Sequence, residues 1–149
     1  MQSRRRWENS LEDGPSARAL RKIVGNYLSE EHRGRRGSGC LVASLSCDIA
    51  RQSPAVRRAF TVEIEGIFEL LAPLMPGHTK SQRRAAATAA FACMMGALII
   101  ARAVDNTELS DEIMRDAAKS ITAGAMTVGG ACNGRTRTIH LGAQKRNGG

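Results

Sequence analysis

The chain has 149 residues, of which 42% are hydrophobic and only 3% aromatic, and its formal net charge is +8. That length is enough for one domain with a real core, and so few aromatics mean a core of Leu, Ile, Val, Met and Ala, which favours helices and argues against a β sandwich. The basic balance favours acidic partners without bearing on fold.

Residues 1–15 carry Arg4-Arg5-Arg6, Trp7 and Asp13-Gly14-Pro15, with Glu8, Glu12 and Asp13 cancelling the arginines. Gly-Pro punctuates the chain, so these residues read as a poorly ordered lead-in with a fragment of helix around residues 7–11. The first clear helix is expected over 16–32. Ser16 is its cap, and Ala17, Leu20, Ile23, Val24, Tyr27 and Leu28 fall on one stripe. Arg33 to Gly39 holds three glycines in seven residues and reads as a loop with a basic tip. A second helix is expected over 40–52, on Leu41, Leu45 and Ile49. A third is expected over 53–74, with Ser53 as cap, Pro54 at the first helical position and a stripe of Val56, Phe60, Ile64, Ile67, Phe68 and Leu71. Pro73 and Pro76-Gly77 end it.

The central helix is expected over 80–104. Thr79 and Gln82 have the spacing of a capping box, and from Ala85 to Ala101 only Thr88 is polar. A helix apolar all round needs cover on more than one side. Phe91, Met94, Met95 and Leu98 make one side large; Ala86, Ala89, Ala90, Cys93, Gly96 and Ala97 make much of the rest small. The large side suits the domain's own core and the small side suits close approach of a second subunit. A helix buried wholly within one monomer is the plainer alternative. A membrane span is the other, and the run is short and alanine-rich for that role.

Asp105-Asn106-Thr107 reads as a turn, and a last helix is expected over 110–122 with Ser110 as cap and Asp111 and Glu112 in the first turn. Ile113, Met114, Ala117 and Ile121 give it an apolar face. From 124 to 149 glycines alternate with small and basic residues, and a disordered tail is expected. The expected architecture is therefore an all-α bundle of about five helices over 16–123, between a basic lead-in and a Gly-rich tail.

Cys40 and Cys47 stand two helical turns apart, too far for a disulfide between them. No Cys-x-x-Cys or His-x-x-x-His pair occurs, and no secretory signal is legible. Reduced thiols in a cytoplasmic protein, with no metal and no cofactor, are expected. His32, His78 and His140 are far apart in sequence and define no catalytic set. The arginines are scattered through separate segments, which favours a solvated basic surface over a dedicated nucleic-acid site; any duplex binding on charge alone would be weak and salt-dependent.

In order along the chain stand Tyr27-Leu28-Ser29 with Glu31-His32-Arg33, then Gly37-Ser38-Gly39-Cys40-Leu41, then Asp48-Ile49-Ala50-Arg51-Gln52-Ser53-Pro54-Ala55-Val56-Arg57. Arg83-Arg84-Ala85 and Ala101-Arg102-Ala103-Val104 bound the central helix. This order, over about two thirds of the chain, resembles the C-terminal domain of TetR/AcrR-family transcriptional regulators. The resemblance implies an all-helical domain that dimerises through its last two long helices in a four-helix contact and holds a small-molecule pocket among the others. It also implies a helix-turn-helix reader of DNA, for which the fifteen or so residues ahead of the first helix are too few.

The candidate ligand site is an apolar pocket lined by Tyr27, Ser44, Phe60, Ile64, Phe68, Phe91, Met94, Met95 and Leu98, suited to a small, largely apolar effector. The candidate dimer interface is Ala86, Ala89, Ala90, Cys93 and Ala97 with Ile113, Met114, Ala117 and Ile121. The expected partner is a second copy, with no membrane. DNA would be bound only through a helix-turn-helix outside this chain or weakly by charge. The alternative is a stand-alone dimerisation module that pairs with a longer homologue and binds neither ligand nor DNA.

Overall fold

A computed structural model describes residues 7–9, 11, 17–35 and 48–126, and all regular structure among them is helical. In chain order these are α1 (Ala17–Tyr27), a short α2 (Glu30–Gly34), α3 (Pro54–Leu71) running into a 3-10 turn at Ala72–Leu74, α4 (Lys80–Ala103) and α5 (Thr107–Met126). The molecule is an all-α bundle. The expected helix over 40–52 lies mostly outside the described residues; only its end, at Asp48 and Ile49, is seen and is helical. The tail from 127 onward and the cap at Ser16 also lie outside them.

The stripe on α1 forms as expected, with Leu20, Ile23, Val24 and Tyr27 buried, but Ala17 faces solvent and Ala19 takes the inner position. The single helix expected over 16–32 is two. Ser29 divides it: its hydroxyl donates to the Asn26 carbonyl at 2.9 Å, closing α1, and accepts from the His32 amide at 3.1 Å, opening α2. Residues 33 and 34, expected in a loop, belong to this second helix. Ser53 stands at the start of α3 without a side-chain hydrogen bond, so Pro54 at the first turn marks that end instead.

The capping box of α4 is complete. Thr79 Oγ1 accepts from the Gln82 amide at 3.1 Å, and Gln82 Oε1 accepts from the Thr79 amide at 3.1 Å. The loop before it turns on Gly77, at φ 149°; a Cβ there would stand 2.9 Å from the Arg83 backbone nitrogen. α5 starts a turn earlier than expected because Asn106, not Ser110, caps it: Asn106 Oδ1 accepts from the Leu109 amide at 2.8 Å. α5 also runs on to Met126, past the expected start of the tail.

α4 and α5 fold back on each other as a hairpin; α1 packs on α5, and α3 packs on α4. Ala87, Ala90, Phe91, Met94, Ala97, Leu98 and Ala101 give α4 its buried face. At its centre Phe91 meets Trp7, Tyr27 and Phe68 edge to face, with centroids 6.1, 6.3 and 6.0 Å apart. Four of the chain's five aromatics thus cluster around one helix. Trp7, assigned from sequence to a loose lead-in, is buried at 4% exposure; a lone indole in a charged segment carries no periodic signal, and only the packed core supplies its partners. α4 is long and apolar enough to cross a membrane by length and composition alone, yet 39% of its most apolar stretch is buried inside the protein.

Candidate functional site

Three features outside ordinary packing stand out: an open face on α4, a clasp at the α4–α5 corner, and a polar groove beside α1.

The open face follows from spacing. Ala85, Ala89, Ala92, Gly96, Ile99 and Ala103 recur at alternating steps of four and three residues, the seam that keeps a helix facing a partner helix. All are exposed except Gly96, which is half-buried. A methyl built on Gly96 meets nothing within 4 Å. Cys93 flanks the seam and is exposed. Ile99 and Ile100 keep 42% and 52% of their surface in solvent, and Leu109 at the start of α5 keeps 44%. Aliphatic side chains exposed side by side cost solvation free energy that a second surface would recover.

The interface residues inferred from sequence divide. Ala89 and Cys93 lie on the open face. Ala86, Ile113, Ala117 and Ile121 are half-buried and pack on the edge of the core. Ala90, Ala97 and Met114 are buried, at 6%, 7% and 5% exposure, and so face the chain's own core rather than a partner. The reason is geometric. Ala90 lies four residues before Met94 and Ala97 three after it, on the same face as the large residues, and their small size brings the rest of the bundle close there.

The pocket residues inferred from sequence also divide. Met94 and Leu98 are 0% exposed, so no water-sized space adjoins either side chain; they are core residues. Tyr27 and Phe91 are nearly as buried and are held in the aromatic cluster. Phe60, Ile64, Phe68 and Met95 are half-buried against the core, and the Arg84 guanidinium lies 5.6 Å from the Phe68 ring centroid. Ser44 lies outside the described residues.

The clasp had no signal in the sequence. Arg102, near the end of α4, donates to the carbonyls of His32 at 2.7 Å and Arg33 at 3.1 Å, two of the orphan acceptors in the last turn of α2. In return Arg33 reaches across to α5, donating to Ser110 Oγ and to Asp111 Oδ1, each at 2.6 Å. Ser110, buried at 4% exposure, donates to the Ala101 carbonyl at 2.7 Å. The two arginines thus tie α2 to both arms of the hairpin. Arg33 looked like loop charge because the segment after it is Gly-rich.

The groove, of about 330 Å³, opens between the outer side of α1 and residues 29–35. Lys22 and Asn26 of α1, Asn9, and Ser29, Glu31, His32 and Arg35 form its walls. Arg35 is ion-paired with Glu31. His32 Nδ1–H donates to the Tyr27 carbonyl at 2.6 Å, and the ring stands edge-on to Tyr27.

Among the described residues no group of three or more His, Cys, Asp or Glu is placed to hold a metal ion. No protein family, curated protein or solved structure matches the chain.

Proposed function

We propose that the chain is the sensing and dimerisation domain of a TetR-like transcriptional regulator, pairing with a second copy through the open side of the α4–α5 hairpin. The observation that carries this reading is the exposed, mostly small-residue seam of α4 that includes Ile99, with Ile100 on the same helix and Leu109 at the start of α5 also exposed. α4 spans roughly 36 Å at 1.5 Å per residue. One such face falls short of the ~800 Å² per partner of a stable interface, so the flank of α5 bearing Leu109, Ile113 and Ala117 must join it. That makes the contact four helices, two from each copy, as the resemblance to TetR-like sensor domains implies.

The effector remains a small, largely apolar molecule in this reading. It is received on the half-buried side chains Phe60, Ile64, Phe68 and Met95, since Met94 and Leu98 are closed off by packing. DNA reading belongs to a helix-turn-helix that is not among these residues.

Sedimentation velocity at micromolar concentration tests the pairing. The expected result is a dimer that Ala92→Glu converts to a folded monomer, because the substitution sets two charges against each other on a dry seam. A folded monomer of the unaltered protein overturns the proposal.

A further inference from the structure

We infer that the groove between α1 and residues 29–35 binds a small oxyanion, the carboxylate or phosphate group of a polar metabolite. The starting point is a set of exposed donors that no other described side chain engages. Lys22 has no ion-pair partner among the described residues, and neither the Asn9 nor the Asn26 carboxamide makes a side-chain hydrogen bond there. All three border the same concavity. Across it stands Arg35, whose guanidinium among the described residues is paired with Glu31 alone. Among the described residues, one carboxylate against a guanidinium and an ammonium leaves the groove with excess positive charge. An incoming oxyanion supplies the second acceptor that Arg35's fork can take and the acceptor that Lys22 lacks. At about 330 Å³ the space sits at the small end of ligand sites, and its walls are polar, which excludes a large apolar guest.

The groove is built on a braced segment. Glu31, His32 and Arg35 face it, while the backbone carbonyls of His32 and Arg33 are held from behind by Arg102. Arg35 therefore stands on a segment anchored to α4 and Lys22 on α1, so little backbone ordering is left for the ligand to impose. The overall charge of +8 raises the local concentration of small anions further.

The test uses the full chain, with inorganic phosphate and succinate as separate probes against sodium chloride of matched ionic strength. Amide chemical shifts and thermal unfolding are followed together. The expected result is saturable shifts confined to the neighbourhood of Asn9 and to residues 22–35 with either probe, and a rise in Tm of about 2–4 °C near saturation. Whichever probe binds tighter names the headgroup. Lys22→Gln and Arg35→Gln, both at the rim and outside the core, are expected to weaken binding at least tenfold each while leaving the unliganded Tm within about 1 °C. No saturable shift with either probe overturns the inference, as does an equal response in the Lys22→Gln, Arg35→Gln double variant.

Discussion

Arg102 is the side chain whose removal the fold should notice most for its size. Its guanidinium is half-buried and answers carbonyls at the end of α2 that have no helical partner. Arg102→Ala leaves those acceptors without their charged donor, a loss of about 1–3 kcal/mol. For a chain of this length each kcal/mol lowers Tm by roughly 2–4 °C. Arg102→Lys should recover only part of the loss, because an ammonium cannot reach two carbonyls with the same planar fork. Thermal unfolding of the three proteins side by side checks this; equal Tm values would mean that the clasp is ornamental. At this scale the sequence was a poor guide. Arg33, Arg102 and Ser110 are separated by up to 77 residues, and nothing in the local spacing of an arginine says which distant carbonyl it will meet.

Elements were more legible. α4 begins where the Thr79–Gln82 pair places it, since a capping box is a local device: both of its hydrogen bonds close within four residues. Thr79→Ala should cost about 0.5–2 kcal/mol, measured as a fall in the denaturation midpoint with the m-value unchanged. A changed m-value would point to a wider rearrangement than a lost cap. The stripe on α1 was legible for the same reason, as a 3.6-residue period in one segment. The starts of α2 and α5 were not, because several residues competed for the cap. Ser110 was as good a candidate as Asn106 by type. It was drawn inward instead, where its hydroxyl serves the end of α4 and accepts from Arg33.

For the whole molecule the question is what lies against α4. Gly96 decides it with a single methyl. In an isolated chain Gly96→Ala meets nothing within 4 Å and replaces a poor helix former with the best one, so the folded monomer gains up to about 1 kcal/mol. Gly25→Ala, on the exposed side of α1 and equally unobstructed, is the control for that gain. If a second α4 packs tightly at Gly96, the same methyl pushes the two backbones apart and weakens the dimer severalfold, while Gly25→Ala leaves the dimer untouched. Sedimentation equilibrium of both variants, together with their unfolding curves, separates the two effects. Stabilisation without loss of association at Gly96 would move the interface elsewhere.

The sequence by itself determined the helical class and the position and cap of the long central helix. These follow from periodicity and local hydrogen bonding, which are written within a few turns of chain. Tertiary structure alone decided which alanines belong to which face. Ala90 and Ala97 differ from Ala89 and Ala92 in nothing but angle around the axis, and the rest of the bundle chose the side on which it would pack. It also decided that Trp7 completes an aromatic cluster with residues up to 84 positions away, and that Arg33 and Arg102 hold a corner rather than decorate a surface. Such contacts join segments that share no local pattern, so they exist only once the chain has folded.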